Sequence, residues 1–164
     1  MQQFTSSATS INSSKLPAVY RKAELRHDYV LDYGCGKYTD HIRTALTGKV
    51  YLPYDPYNQP DDVNCHSMMT VSTVTALDEP VDVICSNVLN VIDDDDTVRS
   101  IADQIIRIVE RSGGTGYVTV YEGDRSGTGR QTGTDQYQRN EPLRSYLKYF
   151  PTGSIRKGMI VVGG

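Results

Sequence analysis

The sequence has no tryptophan, only three cysteines, no apolar run of membrane-spanning length and no surplus of positive charge. Each shortage removes a class of reading. A transmembrane helix needs about twenty consecutive apolar residues, and the polar, Ser/Thr/Gln-rich residues 1–14 do not have the make-up of a signal peptide. No membrane partner is therefore expected. Cys35, Cys65 and Cys85 are odd in number and lack metal-ligand spacing, so reduced thiols in a cytoplasmic protein are expected, with no metal site. A formal net charge of -3 provides no global attraction to nucleic acid or to a membrane surface. No internal repeat or linker-like break divides the 164 residues, a length that suits one domain. Residues 1–26 read as a loose arm and a short lead-in helix, and residues 27–164 as a single domain. Tyrosine, by contrast, is abundant: there are twelve, and rings with polar tips suit a cleft as well as a surface.

The informative stretch is 29–37. Tyr29, Val30 and Leu31 form a short apolar run that ends in Asp32, followed by a Gly34-x-Gly36 turn and a helix-compatible segment. Strand, glycine turn and helix make the first unit of a nucleotide-binding α/β fold, the glycines allowing a tight turn and a close ligand approach. Thr39 stands where a dinucleotide fingerprint has its third glycine, and a carboxylate before the turn repels a pyrophosphate at short range. A cationic ligand without phosphate fits better, and S-adenosylmethionine carries an ammonium and a sulfonium.

Downstream, residues 37–46 have helical spacing, with Gly48 as the stop. Residues 49–54 read as a second strand ending at Asp55, where a carboxylate can accept hydrogen bonds from ribose hydroxyls. A short third strand and part of a helix are expected within 67–74, with adenine contacts from 65–69 and Met68 as a candidate. Residues 81–86 form a buried strand whose end brings Asn87 and Asn90 toward a reaction cleft. The acidic run Asp93 to Asp96 reads as the cap of a helix with Val98, Ile101, Ile105 and Val109 on one face, in preference to a metal site. A strand over 116–121 precedes a long polar stretch, 122–140, expected to be a poorly ordered functional loop with Arg125, Arg130, Gln136 and Arg139 as acceptor-contact candidates. A helix over 143–150 and a terminal hairpin complete the chain.

This order of elements, with Asp32, Gly34, Gly36 and Asp55, resembles a class I S-adenosylmethionine-dependent methyltransferase. Three patches narrow the resemblance: Leu31-Asp32-Tyr33-Gly34-Cys35-Gly36, Asn87-Val88-Leu89-Asn90-Val91-Ile92, and Gly133-Thr134-Asp135-Gln136-Tyr137-Gln138 followed by Leu143-Arg144-Ser145-Tyr146-Leu147. They are similar to methyltransferase-like proteins associated with DNA phosphorothioation systems, which more usually have a glycine or an acidic residue where this chain has Lys37-Tyr38-Thr39. The resemblance implies a Rossmann-like methyltransferase fold: a mostly parallel seven-stranded sheet flanked by helices, with a C-terminal antiparallel hairpin. It also implies that Asp32, Tyr33, Gly34, Cys35 and Gly36 hold the methionine end of S-adenosyl-L-methionine, Asp55 the ribose and the segment containing Met68 the adenine, with Asn87 near the methyl group. Tyr33 or Tyr38 can add cation–π attraction for the sulfonium.

The acceptor stays open. Ser86-Asn87-Val88-Leu89-Asn90 stands where amino-methylating DNA enzymes have an Asn/Asp-Pro-Pro-aromatic motif, and Cys85 follows Ile84 where a carbon-5 enzyme needs Pro-Cys. Direct DNA base methylation is not expected. No residue stands out as a general base, so two alternatives remain: a sensor or partner protein that binds the cofactor without methyl transfer, and an enzyme that degrades it.

Overall fold

Residues 15–164 are described by a computed structural model, and the arm expected over 1–14 lies outside them. Strands β1 (Tyr29–Tyr33), β2 (Val50–Tyr54), β3 (Val81–Ser86) and β4 (Thr115–Thr119) are parallel and adjoin in the order β2-β1-β3-β4. The hairpin of β7 (Ser154–Arg156) and β8 (Met159–Gly163) continues the sheet antiparallel, beside β4, to give β2-β1-β3-β4-β8-β7. The protein is thus α/β, with a mostly parallel, mixed six-stranded sheet. Among the described residues no helix is long and apolar enough to cross a membrane.

Side chains alternate across the strands, and both faces of the sheet are covered. Leu31, Leu52 and Val83 face α3 (Asp61–Ala76) and α4 (Asp95–Ser112), which present Val71 and Ile105 to them. Val30, Tyr51 and Ile84 face the other way, onto Val19 of α1 (Val19–Lys22) and Ile42 of α2 (Asp40–Ala45). Burial on both faces explains why β3 reads as a continuous apolar run. The lead-in helix belongs to this core, since Val19 is 1% exposed.

α4 begins as its acidic run suggests. The Asp94 carboxylate accepts hydrogen bonds from the backbone N–H groups of Asp96 and Thr97, filling donors that the first turn leaves open. Val98, Ile105 and Val109 then fall on its buried face.

Among the described residues the sheet has no seventh strand, and the strand expected within 67–74 is corrected. These residues continue α3, and side chains of that helix satisfy the edge that a strand would otherwise pair. Ser67 donates from Oγ to the Pro53 carbonyl at 2.6 Å, and the Asn64 amide exchanges two hydrogen bonds with the Asp55 backbone at 2.8 and 2.9 Å. The two residues lie one helical turn apart on one face of α3. Pro53 has no N–H to donate, which suits an edge strand and not an interior one.

The stretch 122–140, expected as one long loop, contains further secondary structure. It forms a separate hairpin of β5 (Arg130–Gly133) and β6 (Gln136–Gln138). Its root is buried: Gln138, Arg139 and Asn140 are 8%, 4% and 2% exposed. The helix expected over 143–150 is a 3₁₀ segment, Leu143–Tyr149.

Candidate functional site

In the order β2-β1-β3-β4 the chain leaves β1 toward one side and returns for β3 on the other. Such a reversal opens a crevice at the carboxyl ends of the two strands, where open α/β sheets receive ligands. A cleft of about 1160 Å³ occupies this position. The residues after β1, β2 and β3 supply its floor, and it gathers Asp32, Tyr33, Gly34, Cys35, Gly36, Asp55 and Asn87.

The turn after β1 is tied down from both sides. Gly34 and Gly36 have φ of +80° and +72°, a region costly for other residues. The Gly34 N–H donates to the Tyr54 carbonyl at 2.7 Å, and the Gly36 N–H to Asp55 Oδ2 at 2.9 Å. A Cβ on Gly34 would lie 2.4 Å from Val88 Cγ2, so this glycine is required by the β3 loop packed against it, whatever approaches from the cleft. Asn87, next to Val88, is itself left-handed at φ +57° and is held by an N–H bond to the Thr119 carbonyl. A non-glycine residue in this region is uncommon, and such positions concentrate where a ligand is clamped.

The two carboxyls after β1 and β2 differ. Asp55 is 7% exposed and accepts four hydrogen bonds: from Gly36 N–H, Tyr57 N–H, Asn58 N–H and the Asn58 side-chain amide. These match the roughly four acceptor positions of a carboxylate, so Asp55 braces the β1 turn against the β2 loop. Asp32 is 3% exposed and accepts a 2.5 Å hydrogen bond at Oδ2 from the Tyr51 hydroxyl. Burial pushes its pKa up to about 6, partly offset by the Tyr51 and Tyr20 hydroxyls, with Asp55 adding repulsion.

The walls are aromatic and acidic. Six of the twelve tyrosines line the cleft: Tyr20, Tyr33, Tyr38, Tyr54, Tyr57 and Tyr121. Tyr33 and Tyr54 pack as a tilted pair with ring centroids 5.0 Å apart, and the Tyr33 hydroxyl donates to Gln104 of α4. Four aspartates (Asp32, Asp55, Asp94, Asp96) face two lysines (Lys15, Lys37), with no arginine among the described lining residues.

No protein-family model and no curated protein matches this chain.

Several expected site residues lie elsewhere. Met68 sits in the middle of α3 against the core, and neighbouring Ser67 is taken up by the β2 edge, so the adenine contacts expected from this segment are not in the cleft. Asn90 is 2% exposed; its side-chain amide donates to Gln138 Oε1 and its backbone carbonyl accepts from the Arg139 N–H, which makes it an anchor for the hairpin. Arg139 is buried beside it, bonded to the Ile92 and Asp93 carbonyls and to the Asp95 carboxylate at 2.6 Å. Arg125 pairs with Glu122 on the surface, and Arg130 lies on the exposed strand β5. Neither these two nor Gln136 of β6 lines the cleft. Sequence reasoning missed Tyr20, Tyr54, Tyr57 and Gln104. The excess of tyrosine was the available signal for the first three, while Gln104 reaches the cleft through its position on α4 alone. Among the described residues no group of three or more His, Cys, Asp and Glu side chains is placed to hold a metal ion.

Proposed function

We propose that this chain is a class I S-adenosylmethionine-dependent methyltransferase with a Rossmann-like core. One observation carries the reading: a buried carboxyl, Asp32, at the head of a tyrosine-rich cleft without arginine, at the point where the strand order reverses. Desolvated carboxylate and aromatic faces favour a cation, and a pyrophosphate gains nothing from them. The volume exceeds what the cofactor alone needs and leaves room for an acceptor. When bound, the cofactor supplies an electrophilic sulfonium methyl group. Asp32 takes its ammonium, and the Tyr33–Tyr54 pair lends ring faces to its cationic end. Asp55 reaches a ribose by exchanging the Asn58 side-chain amide for a hydroxyl. Asn87, held in its left-handed turn, orients the acceptor. Methyl displacement needs mostly proximity and alignment, which a braced cleft supplies.

On this reading the sheet is a methyltransferase sheet in which the polar face of α3 has taken the place of the third strand. The motif resemblance to proteins associated with DNA phosphorothioation systems points the same way. The test is calorimetric titration with S-adenosylhomocysteine, followed by incubation with radiolabelled S-adenosylmethionine and candidate acceptors. Micromolar binding with label transferred supports the proposal. Absence of binding ends it. Binding with no transfer to any acceptor would mark a sensor or partner protein, and breakdown of the cofactor alone would mark a degrading enzyme.

A further inference from the structure

The charged and titratable groups on the walls of the cleft are divided between its two sides. Lys15, Lys37 and His41 stand on the side of α1 and α2, whereas Asp94 and Asp96 stand on the side of α4. The sheet separates these sides: Leu16 and Tyr20 pack with Ile42 in one core cluster, and Val88 and Ile101 belong to the other. Lys15 is next to Leu16 and His41 next to Ile42, so packed neighbours fix the place of both. Lys37 directly follows Gly36, whose N–H is held by the Asp55 carboxylate. His41 is half-buried, and either neutral tautomer of its ring carries an N–H donor. Among the described residues neither Lys15 nor His41 has a side-chain hydrogen bond or ion pair. Tyr38, also half-buried, adds a ring to the same wall.

We propose that this wall is the methyl-acceptor subsite and takes a small acceptor carrying a single carboxylate, with Lys15, Lys37 and His41 holding the charge and Tyr38 covering the adjoining carbons. Ammonium and imidazole donors make charge-assisted hydrogen bonds to a carboxylate. One negative charge reaches them while staying across the cleft from Asp94 and Asp96. A polyanion would have to run past four aspartates and is repelled. The inference rests on the cofactor reading, which matches the cofactor's cationic end to Asp32 and the Tyr33–Tyr54 pair, and adds to it the class of the acceptor. It gives Lys15 a part in recognition, where the sequence suggested a solvated lead-in.

Calorimetry at low salt with benzoate, benzamide and benzylamine, one ring with three charges, reads the preference of the wall. With S-adenosylhomocysteine saturating, benzoate should bind about ten-fold more tightly than benzamide, as for hydrogen bonds to a charged group, and benzylamine should bind most weakly. Lys15→Gln combined with Lys37→Gln should remove most of the advantage of benzoate. The same variant should keep its S-adenosylhomocysteine affinity, which also shows that it is folded. Absence of benzoate binding, equal affinities across the series, or an advantage that survives the double substitution would overturn the subsite. A preference for benzylamine would overturn it too and give the acceptor to the Asp94–Asp96 side. If the variant loses S-adenosylhomocysteine affinity, the lysines serve the cofactor's own carboxylate and the acceptor subsite falls. The cofactor reading is judged separately, on S-adenosylhomocysteine binding to the wild type. Should that binding fail, the same series on the free protein still decides whether the wall holds a carboxylate.

Discussion

Asp32 is where folding and binding make opposite demands. Its pKa of about 6 lies above the ordinary 3.8, so the fold prefers the protonated carboxyl. The stability this group contributes is fully present below the ordinary value and is lost as pH rises through the folded-state value. By pH 8 the unliganded fold is less stable by on the order of 3 kcal/mol than it would be with a neutral group there. Asp32→Asn keeps an acceptor for the Tyr51 hydroxyl and removes the charge. It should therefore melt at a higher temperature than wild type at pH 8, with the difference shrinking below pH 5, and should bind S-adenosylhomocysteine at least ten-fold more weakly. Identical melting curves across this pH range would refute the desolvated carboxyl. At this scale the sequence was informative about residue identity: Asp32, the two glycines and Asp55 were singled out, and all border the cleft. It was silent about which lone pairs are free. Asp32 and Asp55 look equivalent as strand-end aspartates, yet Asp55 accepts four hydrogen bonds, three of them from backbone N–H groups, and Asp32 is met by tyrosine hydroxyls.

Among the elements, α3 is the most unusual, because a helix does part of a strand's work. Ser67 is fully buried and its hydroxyl satisfies the Pro53 carbonyl. Ser67→Ala should destabilise the protein by about 1–3 kcal/mol in urea unfolding, the cost of a buried carbonyl left unpaired. Met69→Ala, two residues on and 64% exposed, is the control and should change stability by under about 0.5 kcal/mol. Equal effects would show that the edge is not capped in this way. The helix was hard to foresee because its apolar positions form no clean stripe: its buried face includes Asn64 and Ser67 beside Val71 and Val74. Pro53 was the legible clue that β2 ends the sheet. The 122–140 hairpin escaped notice for a related reason, since β5 is wholly exposed and therefore has no apolar alternation. Its root is tied to the start of α4 by the Arg139–Asp95 hydrogen bond.

For the whole molecule, the cleft joins the β1, β2 and β3 loops with α1 and α4, so a ligand there should stabilise the fold as a unit. S-adenosylhomocysteine at one hundred times its Kd should add about 2.7 kcal/mol, a rise in melting temperature of roughly 5–10 °C for a domain of this size. NAD at the same concentration should give no rise, because its pyrophosphate meets four aspartates and no arginine. A rise with NAD and none with S-adenosylhomocysteine would reassign the cleft to dinucleotides. What the sequence determined alone is what local chemistry controls: the apolar strand runs, the Gly34–Gly36 turn, the aspartate-capped α4, and an α/β order in which strand ends carry polar residues. Tertiary structure decided how many strands the sheet has, which asparagine reaches the cleft, and that Tyr20 lies beside Asp32. These outcomes depend on contacts between residues far apart in the chain, such as Val88 against Gly34 or Ser67 against Pro53. Such pairings exist only after the crossovers have set the strand order, and no local pattern encodes them.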